Sequence, residues 1–128
     1  MAIEGVSLTT TGTQPKSLGY KSYRQEPKAF AATAAPETYG ILTPITIEPD
    51  GHCVVWAVGQ QVHGFVVQFP VITSTTGEIM GTVLIKGEVN AEQLNVPDGQ
   101  ALPDLLAELR NAYVQSRGII VENLAGKL

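Results

Sequence analysis

Met80-Gly81-Thr82-Val83-Leu84-Ile85-Lys86-Gly87-Glu88 reads as a β-strand, with Val83 and Ile85 as the alternating apolar set. Working outward from it, short strands and turns recur. Thr73 to Gly77 is a loop, Val62 to Val71 a strand, Gly59-Gln60-Gln61 a polar turn, and His52 to Val58 a further strand. Pro49-Asp50-Gly51 is a turn signal. Tyr39 to Glu48 carries Ile41, Thr43, Ile45, Thr46 and Ile47 around Pro44, which points to an edge strand or a bend. Downstream of Pro97-Asp98-Gly99 the period changes. Leu102, Leu105, Leu106, Leu109 and Tyr113 recur at spacings of three and four, one helical stripe. Pro103 suits the first turn, Asp104 the positive end of the helix dipole, and Arg117-Gly118 the stop. Gly118 to Val121 closes the chain as a short strand. The expected body, 39–128, is mainly β with one amphipathic α-helix near the C-terminus. Its bulky core material is the helical stripe with Trp56, Phe65 and Phe69. A body of about 90 residues buries only ~60–65% of its unfolded surface, so self-association would extend its core.

Residues 1–38 read differently. Thr, Ser, Gly, Pro, Ala and Gln dominate, no helical or strand period persists, and the segment is expected to be an extended arm without a core of its own. It carries a net charge of +1 against −5 for the remainder, within −4 for all 128 residues. Yet of eight aromatic residues, Tyr20, Tyr23, Phe30 and Tyr39 lie in this arm or at its edge. Disordered linkers are poor in aromatics, and large rings anchor interfaces. Two readings are open: the rings fold back on the body, or the arm docks on another protein through them.

The acidic balance runs against a nucleic-acid partner, which needs clustered Lys and Arg. No apolar run approaches the ~18 residues that span a bilayer, and Met1 to Gly5 does not open a secretory signal. The one cysteine, Cys53, has no intramolecular partner, as expected for a chain made in a reducing cytoplasm. Sites for chemistry are sparse. His52 and Cys53 are neighbours on a strand and point to opposite faces; with His63 they fall short of a zinc site or a nucleophile–base pair with its orienting acid. Cys53 reads as a small core hydrophobe. Asp104 and Glu108 stand one helical turn apart and read as the solvated face. Gly81-Thr82-Val83 lacks phosphate-loop spacing. No enzyme activity, metal or cofactor is expected.

Four passages resemble the lambda-type bacteriophage head decoration family. They are Leu42-Thr43-Pro44; Val54-Val55-Trp56-Ala57 with Gly64-Phe65-Val66-Val67; Leu84-Ile85-Lys86-Gly87-Glu88-Val89-Asn90-Ala91-Glu92-Gln93-Leu94, similar to the family's "rGaeVnadaL"; and Arg117-Gly118-Ile119-Ile120-Val121, similar to its terminal "GIVV" strand. Together they span residues 40 to 122. The chain departs from the family in a longer arm and in the extra tail Asn123 to Leu128. The resemblance implies a bent β-ribbon (β-clip-like) body that trimerises at three-fold points on the outer surface of an expanded virion head. There it would cement the major capsid protein and stabilise the head against internal DNA pressure, with its N-terminal arm adding to a capsid strand. On that reading Tyr20, Tyr23, Phe30 and Tyr39 are capsid-binding arm residues, and Pro44, Trp56, Phe65, Leu105 and Leu109 are core or trimer contacts. Another virion structural role, in a tail or fibre, is the alternative.

Overall fold

The computed structural model describes residues 19–122. Residues 1–18 of the expected arm and the tail 123–128 lie outside them. The described chain is mainly β with a single longer helix near its C-terminal end. The strand read first is β7 (Ile79–Asn90), and it is the longest element. Along one edge it pairs antiparallel with β1 (Tyr20–Phe30), from Tyr20 opposite Val89 to Phe30 opposite Ile79. Its other edge is shared by β5 (Gly64–Val66), antiparallel at Leu84 and Val83, and by β8 (Ile119–Glu122), parallel from Gly87 to Asn90. β3 (Pro44–Ile47) joins β5 to β4 (Cys53–Val55), and β4 returns to β1 through the single pair Phe30–Cys53. The order β1-β7-β5-β3-β4 therefore closes on itself as a small barrel, with β8 added outside. A separate pair, β2 (Thr38–Tyr39) with β6 (Val71–Ile72), lies over one end.

Alternation of side chains divides the apolar residues into two cores. Each barrel strand sends one buried residue inward: Phe30, Ile45, Cys53, Val66 and Val83, closed over by Tyr39 and Val71. The next residues, Phe65 and Leu84, point out into a second core with Leu42, Trp56, Val62 and Val89. That outer core is covered by α1 (Leu102–Leu109), whose Leu105 and Leu109 insert into it, and by Val114 of α2 (Ala112–Ser116) and Ile119 of β8. Both faces of the sheet are buried where Phe65 and Val66 of β5 pair with Leu84 and Val83 of β7.

The expected boundary at residue 38 is corrected here. β1 is the barrel's closing strand, Phe30 is 0% exposed and Tyr39 is buried beside it, their ring centroids 6.0 Å apart. Of the two readings of those rings, folding back on the body holds for Phe30 and Tyr39. The segment could not bury a core alone, but it did not need to, because β7 supplies the ladder. The register of the β1–β7 ribbon slips at Tyr23 and again at Ile85, one unpaired residue on each strand. Bulges of this kind bend a ribbon. Tyr20, the partner of Val89, reaches the N–H of Gln68 with its hydroxyl, and Val67 next to it bonds to Thr82.

Three other expectations change. The Tyr39–Glu48 strand is two short strands around a turn in which Leu42 has φ 68°. The Val62–Val71 strand breaks at Gln68, φ 70°, and Phe69 is 73% exposed rather than in the core. The helical stripe breaks after Leu109: Asn111 N–H bonds to the Glu108 carbonyl, α2 restarts from the Asn111 carbonyl, and the Gln115 amide caps the Leu109 carbonyl at 2.8 Å. The side chain of Tyr113 lies outside the described set. Gly118, φ 94°, then turns the chain into β8, and a Cβ there would sit 3.0 Å from Lys86 Cγ.

β1 is an edge strand over most of its length. It carries three devices that blunt such an edge: the bulge at Tyr23, the cations Lys21, Arg24 and Lys28, and Pro27, which has no N–H to offer. Two outcomes are expected. Phe30→Ala should cost about 3–5 kcal/mol in denaturant unfolding, whereas Tyr23→Ala should stay within about 1 kcal/mol. Pro27→Thr should leave stability near wild type but raise self-association, seen as a concentration-dependent rise in light-scattering mass.

Candidate docking surface

The break at Gln68 sends Phe69 and Pro70 outward before Val71 returns to the barrel end, where its Cγ2 packs against Gly81. Val67 bonds to Thr82 and Met80 precedes Gly81, so the segments carrying Phe69, Ile72, Ile79 and Met80 meet at one end of the sheet, with the neighbours Ile79 and Met80 on opposite faces of their strand. All four are exposed: Phe69 73%, Ile72 60%, Met80 59% and Ile79 38%. Large apolar side chains grouped in water are the ordinary mark of an interaction surface. The sequence reading missed this group because Phe69 lies in an apolar run and nothing local to it announces the positive φ at Gln68.

Polar groups rim this end. His52, from the turn between β3 and β4, meets an accepting carboxylate at each ring nitrogen, Asp50 Oδ2 at 3.1 Å from Nδ1 and Glu78 Oε1 at 2.8 Å from Nε2. Its pKa is raised, first by Glu78 and then by Asp50. Asp50 is held below the usual carboxylate range, chiefly by the His52 backbone N–H on its Oδ1. On β1, Glu26 accepts from Lys28 at 3.2 Å and from Arg24, which lower its pKa in that order.

The expected arm residues are not brought together. Tyr20 is half-buried against the outer core and holds Gln68. Phe30 and Tyr39 are core residues and cannot meet a partner without unfolding the barrel. Only Tyr23 is well exposed, at 55%. Its hydroxyl donates to Glu88 Oε2, which raises the tyrosine pKa and lowers that of Glu88. Lys21 lies 5.5 Å over the Tyr23 ring. Lys21, Glu88 and Glu122, with Tyr20, border a hollow of about 190 Å³ where β1 begins and β8 ends. Pro44, Trp56, Phe65, Leu105 and Leu109 are all buried inside the single chain. Pro44 opens β3 without needing an N–H there, and the Trp56 indole donates to the Gln60 carbonyl at 2.8 Å.

The residues weighed for chemistry are dispersed. Cys53 faces the barrel interior, and burial pushes its thiol up to about 11. His63 Nδ1 accepts the Ile47 N–H at 3.1 Å, placing the proton of the neutral ring on Nε2; burial, then Arg117, holds its pKa down. Glu108 is not simply solvated, since its Oε2 accepts the Val62 N–H at 3.3 Å and ties α1 to the loop before β5. Among the described residues no group of three His, Cys, Asp or Glu side chains is placed to hold a metal, and no helix is long and apolar enough to cross a membrane. No protein-family model matches the chain, and no curated protein matches it.

A thiol that is both buried and raised in pKa is a poor nucleophile. Cys53 should therefore resist iodoacetamide at pH 8 in the native protein and react fully in denaturant, a difference read by intact mass.

Proposed function

We propose that this chain is a structural protein that decorates and cements an expanded bacteriophage head, binding the major capsid protein as a homotrimer, and not an enzyme. The observation that supports a docking role is the exposure of Phe69, Ile72, Ile79 and Met80, four large apolar residues carried by the segments at one end of the barrel. The resemblance across residues 40–122 supplies the shell as the partner. The strand-adding arm is assigned to residues 1–18, because residues 20–30 are already committed to the ladder with β7. Main-chain pairing of an extended segment with an exposed strand edge needs only backbone groups, and three arms on one trimer gain from effective concentration. Binding only the expanded shell stabilises that shell by mass action.

Deleting residues 1–18 removes no described strand, so the truncated protein should unfold near the wild-type denaturant midpoint while losing heads in co-sedimentation. Deleting 1–38 would remove the closing strand and is expected to unfold the body. Phe69→Asp with Met80→Asp should also weaken head binding at nearly unchanged stability, since neither side chain is buried. Cryo-EM of decorated heads should place density at three-fold points; density confined to tails, or wild-type binding by both variants, overturns the proposal.

A further inference from the structure

The docking end carries a histidine joined to two carboxylates from different parts of the chain. His52 and Asp50 belong to the turn between β3 and β4, whereas Glu78 ends the loop from β6 and immediately precedes the exposed Ile79 and Met80. The other contacts of this turn are local: Glu48 N–H bonds to the His52 carbonyl at 2.9 Å, and Gly51 N–H to the Glu48 carbonyl at 2.8 Å. The charged groups facing the imidazole are thus Asp50 from its own turn and Glu78 from the neighbouring loop. Glu48 meets it only through the backbone. Lys28 of β1, near Cys53, is engaged by Glu26.

A neutral imidazole has one N–H and one lone pair, so it can donate to only one of two carboxylates; the imidazolium donates to both. We propose that His52 is a pH-dependent staple, which when doubly protonated holds Glu78 at the end of the loop 73–78 and Asp50 of the β3–β4 turn together, and when neutral can keep only one of the two. The consequence is control of the loop that borders the apolar end. Loop 73–78 is otherwise anchored at its start, where Thr73 N–H bonds to the Glu37 carbonyl at 2.9 Å and Thr33 N–H to the Ser74 carbonyl at 3.0 Å. Beyond Ser74 the hydrogen bonds stay local, Thr76 N–H to Ser74 Oγ at 3.1 Å, until Glu78. Losing one of the two bonds therefore loosens the loop as far as Ile79, where the ladder with Phe30 takes over.

The sign follows from the raised pKa of His52: the stapling is fully present below the ordinary histidine pKa and is lost as pH rises through the folded value. His63 runs the other way. Its lowered pKa favours the neutral ring, so its effect opposes folding as pH falls through the ordinary histidine range, and global stability alone would blur the two.

The test uses the full chain and reads His52 locally. NMR should show the His52 ring titrating above a free histidine. Amide exchange of Thr76 to Ile79, corrected for intrinsic rates, should speed up through the same midpoint. His52→Gln and Glu78→Gln should each lose this pH dependence while remaining folded. Exchange that is pH-independent in wild type, or unchanged pH dependence in both variants, overturns the staple. Its effect on docking rests on the decoration reading: wild type should bind expanded heads more tightly at pH 6 than at pH 8, a difference lost in His52→Gln. Equal binding at both pH values with a working staple overturns the coupling. No head binding at any pH, with the staple intact in free protein, sinks the decoration reading and leaves the staple standing.

Discussion

The pairing of β1 with β7 is the constraint on which the rest of this molecule depends. Ten register pairs hold the two strands together, but one pair, Phe30 with Cys53, closes the barrel. The long ladder makes that short closure possible, since it delivers Phe30 to the barrel interior already fixed. There the ring packs on Tyr39 and fills space that no other barrel strand could fill with a side chain of that size. A polar strand is thus held by its backbone along most of its length and by one aromatic residue at its end.

Closing the barrel buries both faces of β7 at Val83 and Leu84, and the remaining elements follow from covering the outer one. α1 inserts Leu105 and Leu109, Glu108 ties its flank to Val62, and α2 and β8 complete the cover with Val114 and Ile119. Leu42 shows how firmly this packing dictates local geometry. A bulky residue at φ 68° carries of order 1–3 kcal/mol of strain. It is held there by the Val66 carbonyl on its N–H, by Asn95 N–H on its carbonyl, and by burial of the side chain in the outer core.

The same bend logic creates the surface. The double bulge folds the β1–β7 ribbon so that Tyr20 meets Gln68, and the left-handed backbone at Gln68 turns Phe69 out of the sheet. An apolar side chain that would have been core in a straight strand is instead 73% exposed. The proposed docking role draws on that one departure from regular strand geometry.

The sequence by itself determined what periodicity can report. Val83 and Ile85 marked β7, the leucine stripe marked α1, Gly118 marked the turn into β8, and Cys53 was legible as a small buried residue. Only the tertiary structure decided the rest. β1 carries mostly exposed, polar side chains, and its membership in the sheet resides in main-chain hydrogen bonds that any sequence can make. For that reason an arm was expected where the closing strand lies, and Phe30 and Tyr39 were assigned outward instead of inward. Phe69 failed in the opposite direction, because hydrophobicity records what a residue tolerates and the backbone at Gln68 decides which way it points. The break at Asn111 and the meeting of His52 with Glu78 also depend on partners distant in sequence or on competing local hydrogen bonds. No one-dimensional pattern encodes them.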